Sequence, residues 1–368
     1  MRSFSVWILL CASALAQSPL EQAVKLAREK RFAEAAKLLE GIQEPAPLPQ
    51  RIAFHRLRAA IDSGLGENVA AANEMRAALE LSPADPKLLL ATAVAESQAG
   101  FLDDAVNHAR QVHNAPTAES VLGDIEERRG DYSKAVEAYQ SAVALDPAKE
   151  EYRSKLAFVW IEHQNFRPAI DLLEQSSPLF PHSAKIRTLL GIANYAEGEI
   201  QEAENALADA ITVDSTLQAA YECLAEIVLQ SSAAPSERIV QSLCKWNDLV
   251  CSALDLRVAR ENGDTKLARQ AIARLKTAPP NNALGRCELA RGLEWAGQLE
   301  EARGEMETCV KLDPLPQNHY RLALLYSKLG LKDLAREQLQ LRSEILQKMS
   351  EQTALGLSAL QALGHHPN

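Results

Sequence analysis

Glycine and proline are in short supply, at 16 and 17 of 368 residues. No long segment alternates apolar with polar side chains, as a half-buried strand would. A fold built on many β-turns is thereby excluded. Aromatic residues are scarcer still, at 5%, although 47% of the chain is hydrophobic. Alanine and leucine supply much of the apolar content, and both are strong helix formers. The chain is therefore expected to be all-α.

Positive charge is also in deficit. The formal net charge is −10, and it falls by one more if Arg2 is lost with the leader described below. Phosphate binding needs a concentrated basic face, so nucleic acid is not expected as a ligand. Adhesion to anionic membranes is disfavoured for the same reason. Catalytic signatures are missing as well: no phosphate-cradling glycine loop, no GxSxG and no HExxH. His108 and His113 are five residues apart and do not share a helical face. His365 and His366 are an adjacent pair in the C-terminal tail. No catalytic residue, cofactor or metal is assigned, and a non-catalytic protein is expected.

What is present begins with a leader. The chain opens MRSFSVWILLCASALAQS. Arg2 supplies a short positive region, Phe4 to Leu15 is mostly apolar, and Ala14-Leu15-Ala16 is a small-x-small cleavage site before Gln17. The apolar stretch falls short of the roughly 20 residues that a spanning helix needs. Leu10 stands before Cys11 where a lipoprotein would have a small residue, so no lipid is expected there. The segment resembles a bacterial Sec leader. Residues 1–16 are expected to be removed, leaving a periplasmic or secreted protein without an integral span.

The rest of the chain repeats itself. GDYSKAVEAYQSAVALDP from Gly130 aligns with GQLEEARGEMETCVKLDP from Gly297. Gly130, Ala135, Tyr139, Ala142 and Pro147 fall at the offsets of Gly297, Ala302, Met306, Cys309 and Pro314. Gly66, Ala71, Met75, Ala78 and Pro83 follow suit, as do Gly263, Ala268, Ile272, Leu275 and Pro280. Turn positions align at Lys30, Gly66, Gly100, Gly130, Gln164, Gly198, Ser232, Gly263, Gly297 and Gly330. Five residues beyond nine of them stands an alanine, Glu237 being the exception. Seven residues before nine of them stands alanine or glycine, Leu256 being the exception.

Small residues at those two places let a pair of antiparallel helices approach closely. A glycine between them can adopt positive φ and end the first helix, and a proline after the second prevents its continuation. A larger residue four places past the alanine, such as Tyr139 or Met306, is expected to fill the space between neighbouring hairpins. This pattern resembles the tetratricopeptide repeat family, with a period of roughly 34 residues, from about Pro19 to Gln347. The resemblance implies a right-handed α-solenoid of about ten hairpins over 17–349, ended by a C-terminal capping helix. Residues 350–368 form a tail. SSAAPS replaces the turn of the Ser232 unit, so the unit near 218–248 is expected to be irregular, with a longer connection or bend at 231–236.

The same resemblance places the first helices along a concave groove, with positions 13, 10, 6 and 3 before each turn facing it. Those positions include Asp124 and Glu127, Phe158 and Ile161, Ile192 and Tyr195, then Glu222, Glu226 and Leu229. Arg257 and Arg260, Arg291 and Glu294, and Tyr320 and Leu324 follow. The candidate groove residues are Phe158, Tyr195, Glu222, Glu226, Arg257, Arg260, Arg291 and Tyr320. Arg257, Arg260 and Arg291 are expected to form one basic patch for a carboxylate. An aromatic middle flanked by charge suits a peptide. The lysine and asparagine pattern by which chaperone-binding members hold a carboxylate is not reproduced. The expected function is protein–protein interaction, as an envelope scaffold binding a peptide or protein segment. A structural, self-associating or accessory subunit of an envelope enzyme or export complex is the alternative. The oligomeric state is left open.

Five cysteines follow the leader: Cys223, Cys244, Cys251, Cys287 and Cys309. Export would place them where disulfides persist. Cys287 stands early on the first helix of its unit and Cys309 late on the second, and an antiparallel hairpin brings those ends together. A Cys287–Cys309 bridge is therefore expected. Cys223 and Cys244 occupy nearly the same places in the Ser232 unit, with Cys251 a competitor, and the odd count leaves one thiol over.

Overall fold

The computed structural model describes residues 19–231 and 234–351. The leader with Cys11, the turn position Ser232, and the tail from 352 with its histidine pair lie outside the described residues. All regular structure among the described residues is helical. The chain divides into two compact units, one ending at Tyr152 and the other beginning at Arg153.

The first unit holds α1 (Pro19–Arg28), α2 (Phe32–Leu39), α3 (Leu48–Gly64), α4 (Asn68–Leu81), α5 (Pro86–Ala99), α6 (Leu102–Ala109), α7 (Pro116–Arg129) and α8 (Tyr132–Leu145). At the boundary stands α9 (Glu150–Glu162). The second unit continues with α10 (Phe166–Ser176), α11 (Ala184–Glu197), α12 (Ile200–Val213), α13 (Gln218–Gln230), α14 (Glu237–Trp246) and α15 (Asp248–Asn262). It ends with α16 (Thr265–Leu275), α17 (Ala283–Trp295), α18 (Leu299–Leu312), α19 (Pro316–Lys328) and α20 (Lys332–Glu351). Most odd helices pair with the even helix that follows as a tight hairpin, as α3 with α4, α7 with α8, α11 with α12 and α17 with α18, whereas α13 and α14 scarcely touch.

The turns carry the pattern seen in the sequence. Every described turn position has positive φ, including the non-glycine Lys30 at 59° and Gln164 at 61°. The following N–H then reaches back five residues to the helix it has left. Phe101 N–H donates to the Glu96 carbonyl at 2.8 Å, and Asn165 N–H to that of Trp160 at 2.7 Å. This closes the first helix and reverses the chain.

The small residues are where the helices touch. Ala35, Ala105, Ala135, Ala169, Ala203 and Ala302 are wholly buried, as are Ala23, Ala93, Ala157 and Ala290. At Gly191 an added Cβ would lie 2.6 Å from Leu207 Cγ and 3.2 Å from the Ala203 carbonyl oxygen. Tyr139 corrects the expectation that the residue four places past the alanine fills a space between hairpins. Its ring instead lies on Gly123 of its own hairpin, because glycine there leaves room for it. The first unit's core is three separate clusters and the second unit's is two, one running from α9 to α15 and the other from α15 to α20, as expected when each hairpin buries its apolar face on its neighbours. The final helix, α20, is the longest described, at 20 residues.

The irregular unit departs from the pattern at two places. The link from α13 to α14 spans residues 231–236, where other hairpins need far less. After α14 only Asn247 intervenes before α15, and its side chain caps α15 by accepting from Leu249 and Val250 N–H at 2.9 and 3.2 Å. Cys244 in the last turn of α14 thereby meets Cys251 in the first turn of α15. The two are disulfide-bonded with Cα atoms 4.4 Å apart. The alternative pairing of Cys244 with Cys223 is not formed, since Cys223 is a buried free thiol in the core cluster of α9–α15. Cys287 and Cys309 are bonded across α17 and α18, with Cα atoms 4.8 Å apart.

Candidate functional site

Several charged residues of the first unit pair with each other. Glu96 is fully buried; it accepts from Arg76 Nε at 2.6 Å and lies 2.7 Å from His108 Nδ1. Asp124 and Glu127, expected on a groove, both approach the Tyr139 hydroxyl, at 2.6 and 2.5 Å.

The second unit differs. An open cleft of about 490 Å³ runs over α13, α15, α17 and α19. Its apolar surface comes from Leu229, Trp246, Val250, Leu284 and Leu315. Trp246 is held in place by stacking on Tyr221, with ring centroids 5.1 Å apart. Val250, Leu284 and Gln317 each stand thirteen residues before their turn, so successive hairpins present the same position to one groove.

One end of the cleft is acidic. Glu222 accepts from Gln218 Nε2 at 2.6 Å. Glu226 and Asp313 line the same end, and each accepts one side-chain amide hydrogen bond, from Gln230 at 3.3 Å and Asn318 at 2.9 Å. Burial raises the pKa of both. For Glu226 the Asp313 charge raises it further. Part of the Glu226 surface still meets solvent, but the concave setting strips much of its hydration.

The other end is basic, where the cleft joins a second hollow lined by Arg257, Arg260, Arg291 and Arg321. Two of these arginines are engaged. Arg257 donates to the Val228 carbonyl at 2.6 Å and to Glu261 at 2.9 Å. Arg291 pairs with the buried Glu288 at 2.6 Å. Arg260 and Arg321 are not so held: among the described residues neither forms an ion pair or donates a hydrogen bond, and Arg260 Nε–H is buried without an acceptor. Desolvation lowers the pKa of both guanidinium groups, and repulsion from Arg291 lowers it further.

The candidates from the sequence thus fall into three groups. Glu222, Glu226 and Arg291 line the cleft, and Arg257 and Arg260 line its basic extension. Tyr195 borders it, half-buried, with its hydroxyl 3.4 Å from Gln230 Oε1. Phe158 packs half-buried on the core, and Ile161 and Ile192 are buried within it, which corrects their placement on the groove. Tyr320 also stands apart, with the Arg342 guanidinium 5.1 Å over its ring. Glu288, Asp313 and Arg321 were not expected. Glu288 and Arg321 both stand nine residues before their turns, a position that also faces the cleft. Asp313 lies in the link between α18 and α19. Among the described residues no group of three or more His, Cys, Asp or Glu could hold a metal ion. No described helix is long and apolar enough to cross a membrane.

Comparison with known proteins agrees with this architecture. A family model described as TPR repeat matches residues 123–161. The small glutamine-rich tetratricopeptide repeat-containing protein 2 of Mycosarcoma maydis is 32% identical over 106 residues, 29% of this chain and 30% of that protein. The chain thus spans less than a third of that relative's length. Among solved structures, the C-terminal part of a TPR repeat-containing protein from Cytophaga hutchinsonii is 16% identical. The match covers 80% of this chain and 95% of that one, with a TM-score of 0.45. A tetratricopeptide repeat protein from Parabacteroides merdae is 15% identical over 79% of this chain and 98% of that one, with a TM-score of 0.41. The repeat model on α7 to α9, with the same turns and buried small residues recurring in both units, shows that the chain carries tetratricopeptide-type repeats.

Proposed function

We propose that the chain is a non-catalytic interaction scaffold of the bacterial cell envelope, and that the cleft of the second unit takes a segment of another polypeptide. One observation carries this reading. The cleft and the hollow it joins set an apolar floor between charged walls, and two of their guanidinium groups, Arg260 and Arg321, form no ion pair or hydrogen bond among the described residues. An extended or helical segment can place apolar side chains on Leu229 and Leu284 and polar groups at both ends. The envelope location rests on the leader, with Gln17 as the expected first residue of the exported protein.

Site-specific photo-crosslinking in cells tests the groove. A photoreactive side chain replacing Leu284 is expected to give a discrete polypeptide adduct. One replacing Lys311, exposed on α18, is expected to give none. Equal labelling from both positions, or none from either, removes the groove reading. Mass spectrometry of the exported protein tests the location: an intact Met1 or a lipid on Cys11 would rule out the cleavage proposed.

A further inference from the structure

The charges of the cleft are arranged in an order that the fold does not require. Arg260 and Arg321 approach from α15 and α19, and Arg291 between them is already paired with Glu288. Holding half-buried guanidinium groups beside one another is unfavourable unless an anion joins them. Glu226 and Asp313 repeat the problem with the opposite sign at the other end of the same cleft. Leu229 and Leu284 lie on the apolar floor that the two ends share. A carboxylate between Arg260 and Arg321 would supply the acceptor that Arg260 Nε lacks, and charge-assisted bonds of that kind are about twice as strong as neutral ones. An ammonium or guanidinium group between Glu226 and Asp313 would hold both carboxylates in their charged form.

We infer that the bound segment is bipolar, with a carboxylate that docks between Arg260 and Arg321, a basic side chain that docks between Glu226 and Asp313, and an apolar stretch between them on Leu229 and Leu284. The inference rests on the groove reading above and narrows it to one class of partner sequence. The occupant is a polypeptide segment because the lining of the cleft and its basic extension comes from α13, α15, α17 and α19, across successive hairpins.

The probe is a library of random twelve-residue peptides displayed on phage and selected against the full chain purified without reductant. Peptides enriched on the wild type are expected to carry an acidic and a basic residue at a recurring spacing around apolar positions. The pair Arg260→Gln and Arg321→Gln is expected to abolish the preference for acid and keep that for base. The pair Glu226→Gln and Asp313→Asn is expected to do the reverse. One enriched peptide, followed by fluorescence anisotropy, is expected to weaken about tenfold or more with either pair. Thermal melting checks folding, and Arg260→Lys with Arg321→Lys stands in if the glutamine pair unfolds: it keeps the charge but loses the bidentate fork, so the affinity is still expected to fall. Enriched peptides that are apolar without charge, or charged peptides indifferent to both pairs, overturn the bipolar inference and leave the groove standing. No enrichment above a Leu284→Arg control removes both.

Discussion

Tyr139 and Gly123 share one space: a Cβ on Gly123 would come within 2.4 Å of the Tyr139 ring. Gly123→Ala must therefore push the ring or separate α7 from α8. A loss of about 1–3 kcal/mol is expected from such overpacking, read as a lower midpoint in urea. Tyr139→Phe keeps the ring but removes the donor shared by Asp124 and Glu127. It is expected to cost about 1–2 kcal/mol.

Gln164 holds φ at 61° where most other turns use glycine. Left-handed backbone costs a non-glycine residue about 1–2 kcal/mol, while glycine gives back some of that gain in unfolded-chain entropy. Gln164→Gly is expected to stabilise by roughly 0.5–1 kcal/mol. A drop in melting temperature would show that the Gln164 side chain contributes more than its backbone strain costs.

The cysteines give a third expectation. Peptide mapping without reduction should recover Cys244–Cys251 and Cys287–Cys309, with one thiol left. That thiol, Cys223, is pushed up to about 12 by burial, so it is expected to resist alkylation at pH 8 until the protein is unfolded. Five thiols labelled in the exported, unreduced protein would contradict the pairing. Replacing Cys287 and Cys309 with alanine is expected to cost about 3 kcal/mol, the usual value for a loop of this size.

Acidic titration of the cleft supplies a fourth. Glu226 and Asp313 have raised pKa values, first through burial. The folded state therefore holds their protons more tightly than the unfolded chain does. Their contribution to stability is fully present below the ordinary carboxylate range and is lost as pH rises through the raised values. Glu226→Gln with Asp313→Asn is expected to melt higher than wild type at pH 7, with the gap closing toward about pH 4. A gap independent of pH would mean that neither carboxylate is strained.

The turns and contact positions of the fold were legible because each is set by a local requirement: positive φ at one place, small volume at two others. The basic end of the cleft was legible in part. Arg257, Arg260 and Arg291 do meet, but which of them is free depends on partners that sequence spacing does not reveal. Arg257 finds the Val228 carbonyl on the preceding hairpin, and Arg291 finds Glu288 one turn back on its own helix. Arg321 escaped because a concave surface gathers more of each helix than one narrow stripe. The Cys244–Cys251 bond escaped because it depends on how abruptly α14 gives way to α15, which only the Asn247 cap fixes.

The division of the second unit's core into two clusters that meet along α15 has a mechanical consequence. A chain whose apolar contacts are divided among neighbours has no single point of rupture, so under tension it should lengthen in steps, one hairpin at a time. The Cys287–Cys309 bond closes a 22-residue interval. While oxidised, the α17–α18 hairpin can be prised from its neighbours yet not drawn out, which withholds roughly 70 Å of extension at about 3.4 Å per residue. Stretched between two tethers, the protein would be measurably longer in reductant than in air.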